Sequence, residues 1–196
     1  MTDIFVPAFT LARRAFFTGG TRMVLSATAI ALLAGDDALA ASLDQVADAG
    51  ATSDVDILNS ALGAEHEAVA AYQVGAESGL LKKPALDLAV TFQGHHKAHA
   101  DLLASTIKKL GGSPATPKKT ADYHFPTDQL KSDKDVLHFA ADLEKGAVSA
   151  YLGAIPLFAN RDLAKAAGSI LGDEAMHWAV LRGALGEAPV PEAFMS

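Results

Sequence analysis

The chain has 196 residues, half of them hydrophobic and only 7% aromatic, a length and composition that fit one domain with a buried core. Its net charge of -7 argues against nucleic acid as a partner, because nucleic-acid-binding domains present a basic face. The absence of cysteine excludes iron–sulfur clusters, cysteine-based zinc sites and disulfides. Abundant alanine, with little alternation of Val and Ile, predicts an all-α protein.

Residues 1–40 have the features of a secretory signal peptide. Arg13 and Arg14 precede a short apolar run at 23–35, and the small-x-small sequence Ala-Leu-Ala follows at 38–40. The run is shorter than the roughly 20 apolar residues that span a bilayer. The adjacent arginines followed by Phe-Phe resemble a twin-arginine signal, which predicts passage through the twin-arginine export machinery to the periplasm. The alternatives are an uncleaved amphipathic anchor and a general secretory signal with a chance arginine pair.

After a small, polar and flexible leader at 41–53, the chain has helical periodicity. Capping residues, prolines and glycines delimit four predicted helices, at 54–79, 84–111, 132–160 and 162–186. Pro156 is expected to kink the third helix or end it early, and Asp162 to cap the fourth. Because a long connection separates the second helix from the third, we predict two helical hairpins joined by one crossover over residues 54–186, and then a tail at 187–196.

One chemical pattern occurs twice in these helices. The segments AEHEAVAAY and LEKGAVSAY align Glu65 with Glu144 and Tyr72 with Tyr151. The segments HHKAH and DEAMH follow, and they align two further pairs of residues: His96 with Glu174, and His99 with His177. A duplicated hairpin with an acid on its first helix and a spaced polar pair on its second is suited to a two-fold metal site.

Six polar residues interrupt the apolar stripes of the predicted helices near their midpoints: Glu65, His96, His99, Glu144, Glu174 and His177. A buried carboxylate or imidazole costs several kcal/mol unless it is paired. These residues therefore either pair with one another as a metal-free network or converge on one or two cations as ligands. The spacing of i and i+3 on two helices, together with the duplication, favours metal.

With these residues placed, the chain resembles the ferritin-like superfamily of di-iron and di-manganese carboxylate proteins, and in particular exported bacterial proteins with a ferritin-like domain. The resemblance implies an antiparallel four-helix bundle with a metal site in its core. In that family, two helices each give a Glu and two each give a Glu-x-x-His pair. The matching residues here are Glu65, Glu144, His99, Glu174 and His177.

His96 departs from the family pattern, which has Glu at that position. The ligand set then carries about -3 rather than -4, so it neutralises two metal ions less well. The resemblance implies iron as the metal, as two ions or one, with manganese or zinc as alternatives. A set richer in histidine also suits copper or a mononuclear centre.

Three further residues are candidates to support the ligands: Tyr72, Tyr151 and His95. For the tyrosines we expect packing as the main role, with hydrogen bonding to carboxylates or radical transfer as alternatives. His95 lies at the edge of the stripe and would pair with His99 only if the helix turned. In the crossover, Tyr123 and His124 could cover one end of the site.

The functions that fit are oxidation of ferrous iron, handling of peroxide, or metal binding as such. With no cysteine-bound iron in the chain, redox turnover would need an external electron donor or a self-contained reaction. The competing hypothesis is a metal-free bundle with a structural or partner-binding role in envelope stress. A ferritin-type storage shell is a third alternative. The sequence does not fix the oligomeric state, and it is compatible with a homodimer.

Overall fold

A computed structural model describes residues 50–195, with side chains from Asp54 onward. The predicted signal peptide and residues 41–49 of the predicted leader lie outside this range. Four long α-helices account for most of the described chain, and this part contains no strand: α1 Gly50–Glu77, α2 Lys83–Lys109, α3 Asp133–Ala154 and α4 Arg161–Leu185. The all-α prediction is confirmed, although α1 begins at Gly50, within the predicted leader.

Two predictions about the helix ends were wrong in detail. The third helix ends at Ala154 rather than near Asn160, and this confirms that Pro156 ends it early: Pro156 lies in a short 3-10 turn, Ile155–Leu157, that follows the helix. The fourth helix is capped by Asn160, whose side chain accepts a hydrogen bond from the Asp162 amide. Asp162 lies instead in the first turn, where a carboxylate stabilises the helix dipole.

Each hairpin packs its two helices side by side, α1 with α2 and α3 with α4, and the crossover that joins the hairpins contains a 3-10 turn, Thr120–Asp122. The side chain of Asn59 in α1 holds the start of the crossover: its amide donates to the Ser113 carbonyl at 3.2 Å, and its carbonyl oxygen accepts from the Ala115 amide at 2.7 Å. Asp54 binds the turn before α4 in a similar way, since its carboxylate accepts the Ala159 and Asn160 amides.

The hydrophobic core consists of two clusters along the bundle. One cluster includes Phe92, Leu137 and Trp178, and the other includes Leu62 and Ile107. The buried polar residues lie on the same helices as these clusters, so apolar packing surrounds them. None of the described helices is long and apolar enough to cross a membrane.

Candidate metal centre

The six residues predicted from the duplication meet in the middle of the bundle. Five of them are at most 3% exposed, and the side chain of His99 is 13% exposed. Their potential ligand atoms form two groups, within each of which all atoms lie within 4.8 Å of one another. The groups are Glu65, His96, His99 and Glu174, and His96, Glu144, Glu174 and His177. Because the two groups share His96 and Glu174, they define two adjacent positions at each of which a metal ion could bind.

Glu174 divides its carboxylate between the two positions. Its Oε1 lies 3.1 Å from Nδ1 of His99, and its Oε2 lies 3.3 Å from Nδ1 of His177. Each position is completed by a Glu from a first helix of a hairpin. Glu65 Oε2 is 3.6 Å from the His99 Nδ1, and Glu144 Oε2 is 3.4 Å from the His177 Nδ1. A carboxylate between two such halves has the placement of a bridging ligand.

Five buried atoms around these two positions have no hydrogen-bond partner: His99 Nδ1, His177 Nδ1, Glu144 Oε2 and both oxygens of Glu174. Each of these atoms has another of them within 3.1–3.4 Å, but the geometry of these contacts is not that of a hydrogen bond. In the metal-free state these atoms have only these charge contacts with one another, and a buried polar group without a well-formed hydrogen bond is less stable than one that has it. Imidazole nitrogens and carboxylate oxygens that converge in this way fit Fe²⁺, Mn²⁺ or Zn²⁺.

His96 differs from the other two central histidines, because both of its ring nitrogens have hydrogen-bond partners. Nδ1 lies 2.8 Å from Glu65 Oε2, and Nε2 lies 3.2 Å from Glu144 Oε1. Burial alone would lower the pKa of His96, but the hydrogen bonds to Glu144 and Glu65 outweigh burial and raise it well above its ordinary value. In the metal-free state an imidazolium therefore joins the carboxylates of the two hairpins.

The same contacts keep the carboxylate of Glu144 ionised. Burial alone would raise its pKa, but the close contacts with the imidazoles of His177 and His96 hold the pKa well below the ordinary value. An ionised carboxylate is the form that ligates a metal. Glu144 is therefore already in its ligating form without a metal.

Asp173 is a component of the site that the sequence did not predict. Its Oδ2 lies 3.3 Å from Nε2 of His99 and 3.3 Å from Nε2 of His177. This carboxylate oxygen faces the Nε2 side of both rings, so each Nδ1 is directed toward the centre. Burial alone would lower the pKa of His99 and His177, but the neighbouring carboxylates outweigh it and raise the pKa of both to about 9, so a metal would have to displace a proton from each ring. The i, i+4 spacing of Asp173 and His177 was a signal for this contact, but the side chain of Asp173 is 24% exposed and its position on the helix indicated a solvated face.

His95 lies at the outer edge of the site. Its Nδ1 is 2.8 Å from Nε2 of His177 and 3.1 Å from Asp173, and its side chain is 45% exposed. The alternative in which α2 turns so that His95 and His99 both face the centre does not occur, because His96 is the buried residue. His95, Asp173 and His177 form a third, more exposed group of polar atoms.

The two tyrosines do more than pack. The Tyr151 hydroxyl donates to Glu65 Oε1 at 2.5 Å, and the Tyr72 hydroxyl donates to Glu144 Oε1. Burial, and next the charge of the neighbouring carboxylate, raises the pKa of both phenols well above the ordinary value, so both remain protonated donors. Each tyrosine thus binds the carboxylate of the opposite hairpin, and our expectation that packing would be their main role was incomplete.

Comparison with known proteins agrees with this architecture. Residues 53–187 match the family model of the ferritin-like domain. Among solved structures, the fold is similar to that of a conserved hypothetical protein, rv2844, from Mycobacterium tuberculosis, with a TM-score of 0.62, 22% sequence identity, and coverage of 73% of this chain and 97% of that chain. No curated protein matches the chain significantly. The chain, with its four-helix bundle and its buried His/Glu cluster that could bind metal, belongs to the ferritin-like domain family.

Proposed function

We propose that this protein is a metal-binding protein with a dinuclear site in the bundle core, used for iron or peroxide redox chemistry or for metal binding as such. The observation that carries the proposal is the set of five partnerless buried atoms around the two positions that share Glu174. Glu65 and His99 would hold one position, Glu144 and His177 the other, and Glu174 would lie between them. Bound iron would supply one-electron redox chemistry at this point; manganese and zinc are the alternatives.

The surrounding residues would prepare the ligands for this role. Asp173 would orient both ligand histidines through Nε2, so that Nδ1 faces the centre and could bind a metal after losing its proton. The Tyr72 and Tyr151 hydroxyls fix the orientation of the two outer carboxylates. The ring of Phe92 stacks on His177 at 4.0 Å between centroids, which helps to exclude water from one side of the site.

The ligand charge favours divalent ions or partial occupancy. Glu65, Glu144 and Glu174 contribute -3, whereas the family pattern with Glu in place of His96 would contribute -4. His96 would also have to leave its hydrogen bonds to Glu65 and Glu144 before it could ligate a metal. We therefore expect the second ion to bind more weakly than the first.

Export of the protein is part of the proposal. It is supported by Arg13 and Arg14, by the short apolar run at 23–35 and by the small-x-small sequence at 38–40. The twin-arginine machinery carries folded proteins, so the metal could be inserted before export. Replacement of both arginines by lysine should retain the protein in the cytoplasm, as cell fractionation would detect.

A metal-free bundle with a structural or partner-binding role is the second candidate. One observation favours it: the His96 imidazolium already joins Glu65 and Glu144, so part of the buried charge is compensated without metal. In this candidate the five atoms without hydrogen bonds would be held only by the charge contacts of His99 and His177 with Glu144 and Glu174.

Metal analysis of the purified, untagged full chain distinguishes the two candidates. A folded-state ligand raises the melting temperature, so added Fe²⁺ or Zn²⁺ should stabilise the wild type. His99→Gln and His177→Gln should lose this rise, whereas His138→Gln, a matched change of an exposed histidine on α3, should keep it. Substoichiometric metal, together with an absorption spectrum that does not respond to iron, would contradict the proposed function.

A further inference from the structure

A cavity of about 480 Å³ lies between α1, α3 and the crossover. Its inner end is formed by Glu65, His96, Glu144 and Tyr151, which are all buried at the candidate metal centre. Two other cavities of the described chain hold only about 30 and 20 Å³. Small-molecule sites in proteins typically have volumes of about 300–1,000 Å³, so this cavity is large enough for an organic ligand.

Small side chains on the two facing helices produce this space. Seven residues that line the cavity are alanine or glycine: Ala61, Ala64, Ala68, Gly146, Ala147, Ala150 and Ala154. Ala68 and Ala147 are equivalent in the duplication, so both halves of the bundle leave room at the same height, one helical turn from Glu65 and Glu144. The lining is mostly apolar except at its inner end and its rim.

Aromatic residues cover the outer side of the cavity. Tyr123 stacks on Phe125 at 5.5 Å between ring centroids, and Phe125 meets the edge of Phe139 at 5.9 Å. The Tyr123 hydroxyl accepts a hydrogen bond from the Lys118 amide at 3.2 Å, which holds this ring within the crossover. A cover with three packed rings is organised before any ligand binds, and this lowers the entropic cost of binding.

The rim of the cavity selects against anions. Glu67, Asp122 and Asp142 line it together with Lys118 and His124, so acidic side chains outnumber the lysine and the exposed histidine. The carboxylates of Glu65 and Glu144 add further negative charge at the inner end. An anionic head group would lose hydration and meet net negative potential at both ends of the cavity.

We propose that this cavity binds an uncharged, mainly apolar small organic molecule and directs one end of it to the carboxylates of Glu65 and Glu144. The binding itself requires no metal. The inference rests on the proposed function in one respect: if the metal centre is catalytic, molecules of this kind are its substrates. The nearest atoms that a ligand would meet at the inner end are the Glu65 and Glu144 carboxylates, the His96 ring and the Tyr151 hydroxyl.

Fluorescence titration of the purified full chain with N-phenylnaphthylamine, a neutral apolar probe, tests the proposal. We expect saturable binding at one site and displacement by dodecanol. Dodecanoate, which has the same chain length and a negative charge, should compete about tenfold less well or worse, because acidic side chains outnumber basic ones at both ends of the cavity. Absence of saturable binding, or equal competition by dodecanoate and dodecanol, would overturn the proposal.

Filling the cavity should remove the binding. The double variant Ala68→Leu/Ala147→Leu should weaken binding of the probe about tenfold or more, since excess methylenes in a fitted apolar pocket are rejected by such factors. Ala98→Leu, the same change at an exposed position of α2, should have no effect. Unchanged probe binding by the folded double variant would place the ligand elsewhere and overturn the proposal. The two single variants, with folding checked by circular dichroism, provide the same test if the double variant does not fold.

The titration is done on protein treated with a chelator and on protein reloaded with Fe²⁺, with metal content measured in both. Probe binding without any metal uptake would leave the cavity proposal standing and contradict the proposed metal function. Metal uptake without probe binding would contradict the cavity proposal and leave the proposed metal function standing.

Discussion

The two hairpins differ at two positions of the site, and at both positions a histidine in the first hairpin corresponds to an acidic residue in the second. Where α2 has His95 and His96, the equivalent positions of α4 have Asp173 and Glu174. The paired positions face each other: His95 Nδ1 lies 3.1 Å from Asp173, and His96 Nδ1 lies 3.6 Å from Glu174. In a strictly two-fold bundle these would be contacts between like charges, which are destabilising in a buried site.

The two hairpins are symmetric in most of the site and differ where two like charges would otherwise meet. The outer ligands and the tyrosines keep the duplicated arrangement, and they bind across the hairpins in matching pairs. The central contacts pair an imidazole of one hairpin with a carboxylate of the other. The consequence is unequal: His96 has partners for both nitrogens, whereas both oxygens of Glu174 lack a partner. If the proposed metal binds, the carboxylate on α4 would gain more from it than His96 on α2.

The largest expected effect comes from the position shared by both halves on α4. Glu174→Gln removes the carboxylate that faces His99 and His177, so both metal positions should lose affinity, by about 100-fold or more. Equilibrium dialysis with Fe²⁺ or Zn²⁺ measures this loss. Glu77→Gln, at an exposed position of α1, is the control that should retain metal. Tight binding at either position in Glu174→Gln would show that Glu174 is not shared.

The second prediction restores the symmetry. His96→Glu gives the site a fourth carboxylate, so a second ion should bind more tightly and the metal content should approach two ions per chain. Without metal the same variant should lose about 3 kcal/mol or more of unfolding free energy, because a buried imidazolium is replaced by another carboxylate. Denaturant unfolding with and without metal measures both effects. A metal-free variant as stable as the wild type would contradict the role assigned to His96.

A smaller effect is expected at the outer pair. Asp173→Asn keeps the shape of the side chain but weakens the acceptor for His99 and His177, so metal affinity should fall about 10- to 100-fold. Asp101→Asn, on the exposed surface of α2, is the matched control. If Asp173→Asn and the control bind metal equally well, Asp173 does not orient the ligands.

The smallest effects are expected from the tyrosines, and these should be similar in the two hairpins. Tyr72→Phe and Tyr151→Phe each remove one hydrogen bond to a buried carboxylate and should each lower the unfolding free energy by about 1–3 kcal/mol. The measurement is denaturant unfolding of the metal-free protein. A loss confined to one variant would show that the two-fold arrangement does not extend to the tyrosines.

Most of the fold was predictable because its signals are local. The apolar periodicity, Pro84 and the capping residues delimit four helices, and the long connection implies two hairpins. The helix ends were less predictable: Asn160 rather than Asp162 caps α4, and residues 50–53 extend α1. These details depend on which of several competent side chains reaches a free amide, and single positions do not encode that choice.

The six central residues could be predicted since the duplication and their helical faces bring them to the same height. Asp173 could not, because its function comes from two histidines on different helices that share one carboxylate oxygen. The crossed tyrosine contacts could not be predicted either, since each depends on how one hairpin packs against the other. The role of these residues as metal ligands stays a prediction until metal analysis is done.

The sequence by itself determined the all-α class, the two-hairpin order and the meeting of acidic and imidazole side chains at the centre, because helical periodicity fixes which residues share a face. Only the tertiary structure decided how those side chains are paired. The His96 bridge, the partnerless oxygens of Glu174 and the cavity beside Ala68 and Ala147 all depend on the distance and rotation between packed helices. These quantities arise from the packing of the whole core, and no local pattern in the chain records them.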